Sequence, residues 1–265
     1  MSRDITGLQN IELIEPLPFH GSLNSQVYYY KDGQKVYKAK GSQREIDITI
    51  AAGDCAVQPC ERVIWPELNT YGEVSLFGFT MKRETPLQVA ASIQTDRRTM
   101  FMDGMISVIL ALHAKGIIHG DVKPANMLLC SDEKIRLCDF EEARLPGETA
   151  ADWEGETTAH YLSPRRCQNS GWPDHRDPAP EVEDDLYALG LSIWGLYTGK
   201  MPFDDVYEDD IREMVSAGQT VNVEEVQDET AKAYIYADLS TVHTGANRGA
   251  RRYLTENYPG LGVFT

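Results

Sequence analysis

The chain has 265 residues, 42% of them hydrophobic and 25% charged, with 25 Lys and Arg against 41 Asp and Glu for a formal net charge of −16. This composition supports one or two folded domains with a sizeable buried core and excludes generalised disorder. The acidic balance argues against a nucleic-acid partner, which needs clustered Lys and Arg, and against docking on anionic lipid.

Met1 to Gln9 lacks the apolar core of a signal peptide. Gln26 to Tyr30 and Lys35 to Ala39 flank Asp32-Gly33, a strong hairpin signal because both turn positions favour positive φ. Ser42 to Ala52 reads as a helix, and Arg62 to Trp65 and Val74 to Met81 as two more strands. Thr85-Pro86 marks a break. Phe101, Met105, Val108, Ile109 and Leu112 recur at helical spacing and predict a long amphipathic helix from about Thr95 to Lys115, stopped by Gly116. Two short strands follow, Met127 to Leu129 and Ile135 to Cys138. Pro146-Gly147 opens a polar stretch to about Thr158. Leu186 to Tyr197 is too uniformly apolar for a surface helix and too short to span a bilayer, so it reads as a buried helix ended by Gly199 and Pro202. The expected fold class is therefore α+β. A small β-rich half, residues 1–81, precedes a larger α-helical half, residues 86–265, with a cleft between them as the expected ligand site.

No apolar run reaches the ~20 residues of a membrane-spanning helix. Cys55, Cys60, Cys130, Cys138 and Cys167 are odd in number, irregularly spaced and free of any CxxC pair. They read as reduced thiols, which suits a cytoplasmic or nuclear protein and not a secreted one.

The stretch that carries chemistry is Ile117-Ile-His-Gly-Asp-Val-Lys-Pro-Ala-Asn-Met-Leu-Leu129, followed by Asp139 in Leu137-Cys-Asp-Phe-Glu141. Asn126 begins the first strand of the short hairpin and Asp139 ends the second, so antiparallel pairing brings them together. Asp121 and Lys123 lie on the loop just before. Two carboxylates, a carboxamide and an ammonium then converge. Hard oxygen ligands in that arrangement suit Mg²⁺ shared with substrate phosphates.

His119-Gly-Asp121-Val-Lys123-Pro-Ala-Asn126 resembles the catalytic loop HRDLKPxN of the eukaryotic-type protein kinases, and Asp139-Phe-Glu141 resembles their DFG. Thr158-Ala-His-Tyr161-Leu-Ser163-Pro164 resembles T-x-x-Y-x-A-P-E. Asp185-Leu-Tyr-Ala-Leu-Gly190, running to Thr198-Gly-Lys-Met-Pro-Phe203, resembles the long helix of their larger lobe. The resemblance covers nearly the whole chain. It implies one bilobal kinase-like domain over residues 1–265, with residues 82–85 as the hinge, and little room for a separate targeting domain. It implies that Asp121 accepts or orients the substrate hydroxyl proton and that Lys123 neutralises the transferred phosphoryl. Asn126 and Asp139 would hold Mg²⁺ or Mn²⁺ on the phosphates of ATP, and Thr158 would join the catalytic set.

Val36 and Lys38 share a strand face, so Val36 can cover an adenine while Lys38 reaches the phosphates. Lys40 competes for that role. Glu45 is the carboxylate partner for Lys38, although Ser42-Gln-Arg-Glu45 also reads as a capping box. Val27, Leu128 and Met81 would line the nucleotide pocket. Cys138 either lines it too or is a small buried hydrophobe.

Several positions depart from the family pattern. His20, Ser22 and Ser25 stand where the phosphate loop expects glycine, with Gly21 alone nearby. Gly120 replaces the arginine that receives a phosphorylated segment. Thr149, Thr157, Thr158 and Tyr161 read either as phosphosites or as loop hydroxyls. Glu141 replaces a glycine and adds a carboxylate beside the metal site. Arg165 replaces a glutamate, so the usual brace of the larger lobe is missing or reversed.

Three functions are open on this reading. The first is Mg²⁺-assisted transfer of phosphate from ATP to serine or threonine hydroxyls of a protein substrate. The second is a pseudokinase that binds nucleotide or a partner as a scaffold. The third is a small-molecule phosphotransferase resembling the aminoglycoside and choline kinases, which share His119-Gly-Asp121 and Asp139-Phe-Glu141. Acidic Asp204-Asp205 and Glu208-Asp209-Asp210 either attract a basic substrate or simply solvate one face. Nothing in the sequence sets an oligomeric state.

Overall fold

A computed structural model describes residues 26–29, 33–39, 41–69, 72–148, 158–168 and 178–240. His20, Gly21, Ser22, Ser25, Tyr30, Asp32, Lys40, Thr149 and Thr157 lie outside the described residues.

The N-terminal sheet contains β1 (Gln26–Tyr29), β2 (Lys35–Ala39), β3 (Pro59–Asn69) and β4 (Gly72–Lys82), all antiparallel, in the order β1-β2-β4-β3. Register sets Val36 opposite Met81 and Lys38 opposite Phe79. Cross-strand partners share a face, as do alternate residues, so these four side chains lie on one side of the sheet. Helix α1 (Gln43–Ala52) follows β2. Ser42 Oγ accepts the Glu45 N–H at 2.9 Å, which satisfies one of the unpaired donors of the first turn. The apolar side of α1, with Ile46, Ile48 and Ala52, is buried.

β4 runs through Lys82 and β5 (Thr85–Pro86) begins three residues later, which leaves Arg83 and Glu84 as the link. The expected break at Thr85-Pro86 is in fact a short edge strand. It pairs with β6 (Met127–Leu129), which pairs with β7 (Ile135–Leu137). Proline is tolerated at an edge because the missing N–H is not needed by the ladder. Pro86 also opens α2 (Leu87–Ile93), a helix not expected from the sequence. Its buried residues Leu87, Ala90 and Ala91 have helical spacing, but seven residues are too few for that period to stand out.

Helix α3 (Arg98–His113) is shorter than expected, because Thr95–Arg97 form a separate 3-10 turn. Its buried face packs in one core with α5 (Val182–Thr198) and α7 (Glu229–Ser240). Gly199 ends α5 at φ 72°, a left-handed conformation that favours glycine, with its N–H on the Gly195 carbonyl at 2.8 Å. A smaller apolar cluster, Leu162, Cys167, Ile211 and Val215, joins α4 (Pro164–Gln168) to α6 (Glu208–Ser216). The result is the expected α+β arrangement: a β-rich N-terminal lobe on a helical C-terminal lobe. Among the described residues no helix is long and apolar enough to cross a membrane.

Ile193 on α5 has no exposed surface. Ile193→Ala should cost about 2–5 kcal/mol of stability, read by chemical denaturation. Ile93→Ala, at a position 75% exposed, should cost under about 0.5 kcal/mol.

Candidate functional site

The loop before β6 hangs from the first turn of α5. Asp185, buried there, accepts the backbone N–H of His119 at 2.8 Å and of Gly120 at 2.9 Å. Its Oδ2 also lies 2.8 Å from His113 Nε2. Burial pushes this carboxyl up, but His113, His119 and the loop N–H push it down by more, so it stays below its ordinary value and ionised. No role was read for Asp185 from sequence; the available signal was a carboxylate at the head of an apolar run. His119 packs against Phe140 in a tilted arrangement with ring centroids 4.9 Å apart, and its Nε2 lies 3.0 Å from the Cys138 carbonyl. A carbonyl only accepts, so Nε2 carries the proton.

Gly120 adopts φ 82°, and a Cβ there would collide with the Glu142 carbonyl oxygen. Glycine at this position therefore has a local steric cause, beyond the loss of a cationic receptor noted from sequence.

On this platform Asp121 Oδ2 accepts from Lys123 Nζ at 2.7 Å and from Asn126 Nδ2 at 2.9 Å. Lys123 Nζ also donates to Thr158 Oγ1 at 2.6 Å. Asn126 sits in the 3-10 turn Pro124–Asn126 and spends its Nδ2 on Asp121, so Oδ1 is the atom it could offer to a metal. The other carboxylate oxygen, Asp121 Oδ1, is buried and has no hydrogen-bond partner. β-pairing extends one step past β7, with the Cys138 N–H on the Asn126 carbonyl at 3.0 Å, and this sets Asp139 beside the loop.

Lys38, 2% exposed, donates to Glu45 Oε1 and to Asp139 Oδ1, both at 2.5 Å. A third carboxylate, Glu141, lies 3.9 Å away. Both readings of Glu45 hold in part. Its N–H is capped by Ser42, but its carboxylate turns to Lys38, and Oε2 makes no hydrogen bond. Burial pushes the Lys38 ammonium down, and Asp139 and Glu45 together push it up by more, so it stays charged. Burial is also the main influence on Glu45, raising its carboxyl to about 7 against the pull of Lys38. For Asp139 the pull of Lys38 prevails over burial and the carboxyl stays low.

Above this cluster, Val36, Met81 and Leu128 share an apolar core with Ile46, Phe79 and Val57, and Val27 and Cys138 pack at its edge. Burial, then the neighbouring Asp139, pushes the Cys138 thiol well up, so it is an apolar lining group and not a nucleophile. Of the sequence-derived nucleotide residues, Gly21 and the competing Lys40 lie outside the described residues, as do the phosphate-loop positions His20, Ser22 and Ser25.

Two arginines tie the surroundings together. Arg165 pairs with Asp184 on α5, donates to the Ala179 carbonyl at 2.8 Å and lies 3.5 Å from Glu181. Asp184 also accepts the Ser163 hydroxyl at 2.5 Å. Here the cation follows the Ser163-Pro164 step and the carboxylate is on the helix, a reversed brace. Arg44 on α1 donates to the Ala143 carbonyl at 2.8 Å and to Glu148 at 2.7 Å. Among the described residues no three His, Cys, Asp or Glu side chains are gathered closely enough to hold a metal ion. Asn126 Oδ1 and Asp139 are the oxygen donors that could hold a divalent ion here, a donor set that would suit Mg²⁺, since it commonly takes one or two protein ligands plus phosphate and water.

Gly120→Ala should lower the melting temperature, since left-handed φ costs about 1–2 kcal/mol and the carbonyl overlap about 1–3 kcal/mol more. Gly147→Ala, also at positive φ (87°) but in open space, isolates the overlap: the Gly120 variant should melt lower.

The family model described as "Protein kinase domain" matches residues 72–241, more than half of the chain. A probable serine/threonine-protein kinase of Lactococcus lactis, PknB, is 30% identical over 129 residues, which are 48% of this chain and 19% of that relative. The serine/threonine-protein kinase ISR1 of Saccharomyces cerevisiae is 31% identical over 146 residues, 51% of this chain and 30% of its own length. The human dual specificity mitogen-activated protein kinase kinase 7 is 32% identical over 108 residues, 39% of this chain and 25% of its own length. The chain thus spans less than a third of each of these relatives. Taken with the site geometry and the bilobal α+β fold, the match over 72–241 places the chain in the protein kinase family.

Proposed function

We propose that the chain transfers the terminal phosphoryl group of ATP to serine or threonine hydroxyls of proteins, assisted by Mg²⁺ or Mn²⁺. The observation that carries this reading is Lys38 in contact with both Glu45 and Asp139 at 2.5 Å, although Asp139 is 101 residues away. Such a buried, paired lysine can be held in place to meet phosphate oxygens. Val36, Met81 and Leu128 offer an apolar wall for a purine, and relatives named as serine/threonine-protein kinases support the acceptor class.

The acceptor hydroxyl attacks the γ-phosphorus, the bond from that phosphorus to the β–γ bridging oxygen breaks, and ADP leaves. The hydroxyl proton passes to Asp121 Oδ1, the oxygen that has no donor of its own. Lys123 brings positive charge to the transferred group, held in position by Asp121 and Thr158. Asn126 Oδ1 and Asp139 would hold the divalent ion, which supplies charge neutralisation on the phosphates. Exposed Asp204, Asp205, Glu208, Asp209 and Asp210 would favour substrates with basic flanks. The second reading, a pseudokinase, is favoured by the extra carboxylate of Glu141 beside Lys38.

Transfer of labelled γ-phosphate to protein separates the two. Asp121→Asn should lose about 10²–10⁴-fold in rate while still binding nucleotide, and Asp139→Asn should lose both. Nucleotide binding by the native chain with no transfer to any protein or to itself would favour the second reading.

Acidification should uncouple Lys38 from Glu45 early. A carboxyl raised to about 7 takes up its proton near neutrality, well above an ordinary glutamate. The transfer rate should therefore fall as pH drops through about 7, and Glu45→Gln should remove that inflection while lowering the rate at high pH. A native profile with no inflection in that range would exclude this role for Glu45.

A further inference from the structure

We infer that Arg166 is a positioning residue for phosphoryl transfer, its guanidinium fixing the peptide that carries Asp121. The inference rests on the phosphotransfer reading above. It starts from Gly120, the residue just before Asp121, which is buried and sits at φ 82°. The Glu142 carbonyl and Pro180 occupy the space that a Cβ would need, so no side chain at 120 can anchor the turn. A glycine at positive φ has wide backbone freedom. The orientation of the peptide that follows it must therefore be set from outside.

Arg166 lies on α4 and is 2% exposed. Its Nη1 donates to the Gly120 carbonyl at 3.0 Å and its Nε to the Pro178 carbonyl at 3.1 Å. The Gly120 carbonyl and the Asp121 N–H belong to one planar unit. A bond that holds the carbonyl thus also fixes the plane from which the Asp121 side chain departs, and the N–H of that plane donates to His119 Nδ1 at 3.3 Å. The other peptide of Gly120 is held by Asp185, whose Oδ1 accepts its N–H at 2.9 Å. Both holds trace back to α5. Asp185 acts directly. Arg166 acts through its own backbone N–H, which donates to Ser163 Oγ at 3.3 Å, and the Ser163 hydroxyl donates to Asp184 at 2.5 Å. Adjacent residues of one helix therefore grip the N–H and the C=O of Gly120. A guanidinium suits this place because its planar fork serves two carbonyls at fixed spacing and keeps its charge when buried. An apolar residue here would leave the Gly120 carbonyl buried and unbonded. The carbonyl would then turn toward another donor and carry Asp121 with it. A displacement of about 1 Å in a reacting group can cost about 10²-fold in rate.

The test measures transfer of labelled γ-phosphate by the full chain to a mixture of basic serine and threonine peptides. Arg166→Met, which keeps the apolar bulk and loses the donors, should lower kcat about 10–100-fold. It should leave the KM for ATP within about twofold, the pattern of an interaction that matters only in the transition state. Arg166→Lys, which restores a cation able to reach one carbonyl, should recover most of the loss even where it melts lower than Arg166→Met. In an Asp121→Asn background Arg166→Met should add less than about threefold, because a residue that acts through Asp121 has little left to lose. The same loss in both backgrounds, or an Arg166→Met chain as fast as Arg166→Lys, overturns the inference and leaves the phosphotransfer reading standing. If Arg166→Met does not fold, Arg166→Gln takes its place in the cycle. If neither folds while Arg166→Lys folds with native kcat, the residue serves stability alone and the inference falls. No transfer by the native chain to the peptides or to itself overturns the phosphotransfer reading, and this inference with it.

Discussion

A single buried ammonium joins the parts of this molecule that matter for chemistry. Lys38 comes from the second strand, Glu45 from the helix after it, and Asp139 from the far side of the cleft. Burying a charged lysine among apolar side chains costs several kcal/mol unless it is paired. The cost is offset only when both carboxylates are in place, so the position of α1 and the position of the Asp139 loop are set by the same group. Removing Lys38 would leave a buried carboxylate, Glu45, and a partly buried one, Asp139, without their shared cation, the more damaging half of a broken ion pair.

The lower half of the site depends on a different carboxylate. Asp185 stands in the first turn of α5, where the helix N-terminus favours negative charge. It takes two successive backbone N–H groups of the loop that carries Asp121. The loop is thereby fixed to the most deeply buried helix of the C-terminal lobe. Arg165 and Asp184 do comparable work one residue away, joining the segment after Ser163 to the same helix. Core packing of α5 and the precision of the reacting groups are in this way one problem of stability.

Much of this was legible in the sequence because it is local. Asn126 and Asp139 flank a hairpin whose short strands and turn are visible in residue type, so their approach follows from antiparallel pairing. Val36 and Lys38 share a face by strand alternation, and Ser42 announces α1 by its hydroxyl. Other features depend on contacts between distant segments and leave no local trace. The glycine at 120 is explained by the carbonyl of Glu142. The reversed pairing of Arg165 needs Asp184 to be known as its neighbour, and the sequence alone left the brace missing or reversed. Helix α2 is one short amphipathic segment behind a proline, and Pro86 reads equally well as a stop or a start. The role of Asp185 emerges only once the helix is seen to abut the loop.

Arg44 adds a mechanical consequence. It grips the chain just past Glu141 through the Ala143 carbonyl and Glu148, while one residue further along α1 Glu45 holds Lys38. The helix and the strand-to-loop passage are thus interlocked at two neighbouring points. A rotation of α1 that frees Glu45 must also unhook Arg44, so the small lobe cannot relax by degrees. Its departures from this geometry would be abrupt, with both latches open or both shut.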